Sequence, residues 1–387
     1  MIAAVIRWSA KNIVLVLIGA TFATLAGLYA VTRIPLDAIP DLSDTQVIVY
    51  TEYPGQAPQV VEDQVTFPLT TALLSVPGSR VVRGFSFFGV SFVYVIFHDG
   101  TDIYWARSRV LEYLNVATQR LPRGVTPNLG PDATGVGWVY QYAITAGDQD
   151  LAQLRSLQDW YVRFGIAKAE GVAEVASVGG FVRQYAVVVD PNRMRVFGLT
   201  LEAIRDAVRA SNMDVGGRTI ELAETEFMIR GQGYIKDGSD IERVVLKVDG
   251  GTPVLLRDVA RVELVPDERR GIAELNGEGE VASGIAVQRH GANTLDVIAA
   301  VKDRIAAIAS SLPEGVDIVP VYDRSDLIYR AIRTLAKTLT EESIVVMLMC
   351  FLFLLHARSA FVAVITLPIG ILIASRSCMC SASARTS

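Results

Sequence analysis

The sequence predicts an α+β membrane protein: transmembrane helices plus two ferredoxin-like βαββαβ units, the second interrupted by an inserted subdomain. Three observations predict it. Ile13–Val31 is an apolar run without charge or proline. Gly100, Leu121, Gly124 and Val125 return as Gly291, Leu312, Gly315 and Val316, each 191 positions further on. Between Gly180 and Gly271 the second copy is split by a segment with its own strand and helix patterns.

The apolar run comes first. A helix needs about 20 mostly apolar residues to cross a bilayer core of about 30 Å. Once inserted, its backbone must bond internally, which forces a helix. Arg7 and Lys11 precede the run, whereas Asp37, Asp41 and Asp44 follow Arg33. The basic end belongs in the cytoplasm, so the chain after Ile34 lies outside. A cleaved signal peptide is the competing reading, but its apolar core is about 7–15 residues with a small-residue cleavage site. This run is longer, and Ile34-Pro35-Leu36 is a poor cleavage context. Residues 1–34 are therefore read as the N-terminal transmembrane helix.

Residues 35–134 carry the first βαββαβ unit. Thr45–Tyr53 is rich in β-formers and ends at Pro54-Gly55. Gln56–Leu74 reads as a helix that Pro68 should kink, because proline lacks the N–H and its ring crowds the preceding turn. Strands are expected at Val81–Phe87 and Ser91–Phe97 around Gly89, with Thr101 as N-cap of the next helix. Ile103, Ala106, Val110, Leu114, Ala117 and Leu121 give that helix one apolar face. Val125 opens the last extended segment, completing a split βαβ unit.

The second unit comprises 135–181 and 272–326. Its strands are Trp138–Thr145, Val172–Val178 and Val281–Gln288, and its helices are Leu151–Ala169 and one over Leu295–Leu312. Such self-similarity signals duplication of one structural unit. The insertion, 182–271, holds a strand at Tyr185–Val189, a helix at Leu199–Ala210 and strands at Phe227–Arg230 and Val244–Val248. Glycines at 216–217 and 231–233 suggest a loop or hairpin. Residues 327–356 form a second transmembrane helix whose uncharged part is Ser343–Leu355. Residues 359–374 start a third, too short for comfortable spanning. Residues 375–387 are polar and patternless, so the chain reads as cut, with an aberrant tail.

The net charge of −5, without a clustered basic patch, argues against nucleic acid. The three cysteines, Cys350, Cys378 and Cys380, all lie outside the exported body, which must stand on its apolar core. Gly277–Ala282 spells a dinucleotide fingerprint, but a strand follows where a helix should. No catalytic or cofactor-binding residue is assigned, and the chain is read as not an enzyme.

Several stretches resemble the inner-membrane pump subunit of heavy-metal efflux systems in the resistance-nodulation-division (RND) superfamily. They are Pro40-Asp-Leu-Ser-Asp44, Tyr53-Pro-Gly-Gln-Ala-Pro58, 70–78, Asp99–Arg109, Gly130–Trp138 and Gly271–Gly279. The resemblance is to the copper/silver type and runs from the first helix to about Ile373, so it covers the N-terminal part of such a subunit. It implies a proton-coupled secondary transporter of the bacterial inner membrane with a large periplasmic domain. The implied cargo is Cu+ or Ag+. The implied partners are two further copies in a homotrimer, a periplasmic adaptor (membrane fusion) protein, an outer-membrane channel and membrane lipid. The two units would be periplasmic porter subdomains and the insertion half of a docking domain. The family's methionine metal site and coupling carboxylates map to no residue here, so the fragment alone is expected to be inactive. The alternative is a membrane-anchored periplasmic interaction module without transport activity.

Soft monovalent metal favours thioether and thiolate ligands. Met194, Met213 and Met228 are read as packing residues, and no metal site is assigned. Met347 and Met349 in the second span are candidates for a methionine relay, against the alternative of lipid or core packing. His98 and His290 lie at nearly equivalent strand ends and read as turn positions inherited with the unit. Cys378-Met379-Cys380 is thiophilic but lies past the break in pattern. Arg83, among Val81, Val82 and Phe85, resembles a family position lining the periplasmic cleft; the other reading is a salt-bridged strand residue.

Overall fold

The computed structural model describes residues 2–33, 37–146, 150–222, 224–231, 233–269, 271–354 and 369–374. Its contacts divide the chain into two units, one drawn from 1–147, 158–177 and 283–387, the other from 148–157 and 178–282.

The first unit begins with two helices, α1 (Ile2–Lys11) and α2 (Ile13–Arg33). Sequence periodicity did not separate them. Asn12 does, donating its side-chain amide to the Trp8 carbonyl at 2.9 Å. Within α2, Ile13–Ala30 has a mean hydropathy of 2.2 and is the one helix among the described residues long and apolar enough to cross a membrane. Gly27 of α2 lies against residue 372 of the short helical stretch 369–374. A Cβ on Gly27 would come within 2.6 Å of the Leu372 Cβ, a close approach that small residues permit between helices. The rest of the third apolar run, and the tail at 375–387, fall outside the described residues.

The first copy follows as β1 (Gln46–Glu52), α3 (Pro58–Val61), a π-turn (Glu62–Thr66), α4 (Phe67–Leu73), β2 (Ser79–Phe87), β3 (Val90–Phe97), α5 (Ile103–Thr118) and β4 (Pro127–Leu129). The kink expected from Pro68 takes the form of that π-turn. The Phe67 N–H reaches back to the Glu62 carbonyl, which opens the helix just where the proline ring needs room. Asp102, not Thr101, caps α5: its carboxylate accepts from the Trp105 N–H at 2.7 Å. The Thr101 hydroxyl is already spent on the His98 carbonyl, closing the turn. The sheet order is β2-β3-β1-β4. Alternate residues Val47, Val49, Val93, Val95 and Phe97 point inward. They meet Val61, Val65, Leu69 and Leu73 from one helix and Ala106, Val110 and Leu114 from the other.

The second copy opens with β5 (Trp138–Ala146), α6 (Leu151–Leu157), a second π-turn (Gln158–Val162), α7 (Arg163–Ile166) and β6 (Val172–Gly179). The interrupting segment is richer than the sequence pattern suggested. It contains β7 (Arg183–Val189), α8 (Pro191–Phe197), α9 (Leu201–Ser211), β8 (Val215–Leu222), β9 (Thr225–Gly231), α10 (Gly238–Glu242), β10 (Val245–Asp249), β11 (Thr252–Leu255), α11 (Leu256–Val259) and β12 (Ala260–Pro266). β7 pairs with β12 and β10 with β11, around a small core of Ile204, Ile241, Val244, Leu256 and Val259. The second copy then resumes with β13 (Ala282–Gln288), α12 (Thr294–Ala309) and β14 (Val316–Asp323), followed by α13 (Arg324–Leu354). Its sheet order is β14-β5-β13-β6. Numbered within each copy, both sheets run 4-1-3-2. α13 carries the uncharged run from Ser343 and the charged residues before it in one helix of 31 residues.

Candidate functional site

β2 and β3 form a hairpin closed by Gly89, whose φ of 70° suits glycine. The register sets Arg83 opposite Tyr94 and Phe85 opposite Phe92. Because side chains alternate across a strand, Val93 and Val95 face the core while Arg83, Phe85 and Phe87 face away. Phe85 meets Tyr94 edge-on at 5.5 Å, and Phe87 meets Phe92 at 6.0 Å. The result is an exposed aromatic surface with one guanidinium. Arg83 forms no ion pair among the described residues, so the salt-bridged reading finds no partner there.

Met347 and Met349 are both exposed on α13. Two positions apart on a helix, they point to nearly opposite sides and do not share one ligand set. Met194 packs on the small core of the interrupting segment, as expected. Met213 and Met228 are exposed instead, at 57% and 80%, so packing within the described residues does not account for them. His98 and His290 are exposed at turns. Among the described residues no cluster of three or more His, Cys, Asp or Glu could hold a metal ion. Cys378 and Cys380 fall outside the described residues.

Sequence reasoning missed the polar anchorage at the foot of α13. The Asp37 carboxylate accepts from the Thr294 hydroxyl at 3.0 Å and from the Arg324 guanidinium at 3.1 Å. The Arg324 side chain is 5% exposed, and its Nε has no hydrogen-bond partner among the described residues. Next to it, the Asp323 carboxylate pairs with Lys302 and accepts from the Ser325 hydroxyl. Burial alone would raise the Asp323 pKa; the bonds from Lys302 and Ser325 overcome it and hold the carboxyl below its ordinary value. For Lys302, burial pulls the pKa down, but the bond and charge of Asp323 leave it raised. A third cluster ties the linker between the copies. Asp132 accepts from the Tyr104 hydroxyl at 3.0 Å and pairs with Arg289 at 3.0 Å. The Asp323-Arg324-Ser325 run carried a helix-start signal. Its partner Asp37, 287 positions away, carried none.

In the interrupting segment, β8 and β9 form an antiparallel hairpin with Ile220 opposite Phe227 and Thr219 opposite Met228. Ile220, Leu222, Phe227, Met228 and Ile229 are all exposed. A lone two-stranded hairpin is marginal in water, and apolar residues on it need a cover.

A family model described as the AcrB/AcrD/AcrF family matches residues 5–379. The cation efflux system protein CusA of Escherichia coli K12 is 58% identical over 377 residues, which is 97% of this chain and 36% of that protein. The putative cation efflux system protein SilA of Salmonella typhimurium is 55% identical over the same shares. The cobalt-zinc-cadmium resistance protein CzcA of Cupriavidus metallidurans is 36% identical over 89% of this chain and 33% of its own length. A crystal structure of a heavy metal efflux pump matches with a TM-score of 0.85 and 32% identity, covering 94% of this chain and 37% of that one. The chain thus spans about a third of the length of the relatives it matches.

Proposed function

The chain belongs to the AcrB/AcrD/AcrF family, and from that premise we propose that it is part of a proton-driven RND efflux pump for Cu+ or Ag+. The observation that carries this is the 58% identity with a cation efflux system protein across 97% of the chain. α2 is its span in a bacterial inner membrane. α13 falls short of the length and apolarity for crossing among the described residues, and its uncharged run from Ser343, which extends past them to Leu355, is read as the second. The two βαββαβ copies are periplasmic porter subdomains, with Arg83 at the mouth of a cleft and Met347 and Met349 as relay candidates in the second span. The insertion is a docking subdomain, and the exposed residues of its β8–β9 hairpin are covered by a neighbouring copy in a homotrimer. A periplasmic adaptor, an outer-membrane channel and membrane lipid complete the assembly. Two kinds of residue that transport requires, a soft ligand set and intramembrane carboxylates, are expected from other segments of the whole pump.

A chimaera tests the proposal. The corresponding segment of a full-length copper/silver pump is replaced by this chain in cells lacking their own pump. Copper and silver tolerance near the parental level is expected. Tolerance to cobalt, zinc and cadmium instead would overturn the cargo. No tolerance from an inserted, trimeric chimaera would favour an interaction module without transport. Phosphatase fusions are expected to be active after Asp190 and inactive after His356; the reverse would overturn the membrane topology. Deleting 216–233 is expected to weaken trimer cross-linking while the porter copies stay folded.

A further inference from the structure

We infer that α1 is an interfacial anchor that seats on anionic lipid headgroups through Arg7 and Lys11; the inference rests on α2 spanning the membrane. α1 is a ten-residue helix set off from α2 by the single residue Asn12, so it emerges where the span meets the cytoplasmic surface. Residues four apart share a helix face. Arg7 and Lys11 therefore lie together on one side, and Val5 and Ile6 fall on the other, with Trp8 between. Val5, Ile6 and Trp8 are 60%, 62% and 54% exposed, so the apolar side is left open among the described residues. Neither cation forms an ion pair among the described residues. The hydrogen bond that Arg7 donates among the described residues stays within its own helix, to the Ala3 carbonyl at 3.3 Å. Apolar residues on one face, basic residues on the other and a tryptophan at the boundary are the make-up of a helix lying in the membrane interface. The charge complement of its polar face is an anionic headgroup, not a zwitterionic one.

Tryptophan fluorescence reads this in the intact chain. The four tryptophans are Trp8, Trp105, Trp138 and Trp160, and on this topology Trp8 is the one at the bilayer. The chain is placed in nanodiscs of phosphatidylcholine, or of equal parts phosphatidylcholine and phosphatidylglycerol, with a nitroxide-bearing lipid as quencher near the headgroup. Quenching that vanishes in W8F belongs to Trp8. A juxtamembrane basic residue shifts seating about five-fold, so about 25-fold is expected for the pair in the anionic discs. R7Q/K11Q, or about 1 M salt, should return quenching to the phosphatidylcholine level. Equal Trp8 quenching in both lipids, or no change in R7Q/K11Q, would overturn headgroup recognition. Alkaline carbonate extraction separates the two readings. A chain that stays in the membrane with Trp8 unquenched overturns the anchor alone. A chain that is released overturns the span and the anchor with it.

Discussion

The two βαββαβ copies share one strand order but fill their cores differently. The left-handed glycines Gly78 and Gly171 close the first helix pair of each copy and set the alignment between them. On it, Val65 and Gly84 of the first copy become Gln158 and Ser177, and the 191-position offset turns Val93 into Gly284. Val65 and Val93 belong to the apolar core of the first copy, whose own buried polar pair, Thr66 donating to Ser91 at 2.8 Å, lies beside them. In the second, the Tyr142 hydroxyl donates to Gln158 Oε1 at 3.0 Å, and Gln158 Nε2 donates to Ser177 Oγ at 3.2 Å. Tyr142 and Gln158 are fully buried, and burial drives the Tyr142 pKa far above its ordinary value. A Cβ on Gly284 would collide with the ring and hydroxyl of Tyr142. The glycine thus makes room for the tyrosine, and the tyrosine is tolerated because its hydroxyl has a partner. One scaffold accepts buried polar groups when volume and hydrogen bonding change together.

The sharpest way to break this comparison is Gly284→Val, which gives the second copy the first copy's residue. Overpacking against Tyr142 should cost about 3 kcal/mol, read from the urea midpoint of the chain in detergent micelles. Tolerance of the valine would mean that Tyr142 does not pass over Gly284. Next comes Gln158→Leu, which strands the Tyr142 hydroxyl in the core. A loss of about 2 kcal/mol is expected, and adding Tyr142→Phe should recover about 1 kcal/mol of it. A strictly additive double mutant would show that the two side chains do not bond.

The copies also differ in their ion pairs. Arg80–Asp44 beside the first copy is exposed on both sides, 43% and 44%, whereas Arg324–Asp37 at the second is buried on the arginine side. Asp37→Asn should cost about 1.5 kcal/mol, below the value for a fully buried pair because Asp37 is partly wet. Asp44→Asn should change stability by less than about 0.5 kcal/mol. Equal losses in pulse proteolysis would erase the contrast. The smallest effect is pH-dependent. A carboxyl held below its ordinary value, as in Asp323, lends stability above about pH 4, the unfolded value, and loses it as pH falls through the folded value. The stability gap between the wild type and D323N should therefore shrink on acidification below about pH 4. A gap that stays constant there would remove Asp323 from the account.

The sequence alone was enough for whatever depends on spacing along a short stretch. The apolar run at Ile13–Val31 inside α2, an irregularity in the helix near Pro68, the hairpin at Gly89 and the apolar faces of α5 and α12 all follow from local composition, periodicity and single residues with fixed backbone needs. α8 was legible in principle, since Asp190 caps it, Pro191 starts it and Gly198 ends it. Its seven residues are too few for a periodic signal, and α1 was lost in the apolar run beside it. Tertiary structure alone decided which distant side chains meet. Asp37 finds Arg324 and Tyr142 finds Gly284 because sheet pairing and helix packing bring the segments together, and nothing within a local window encodes such a meeting. It also decided exposure. The methionines at 213 and 228 have the composition of core filler but stand on the surface, since burial depends on what lies opposite a residue, which spacing along the chain does not specify.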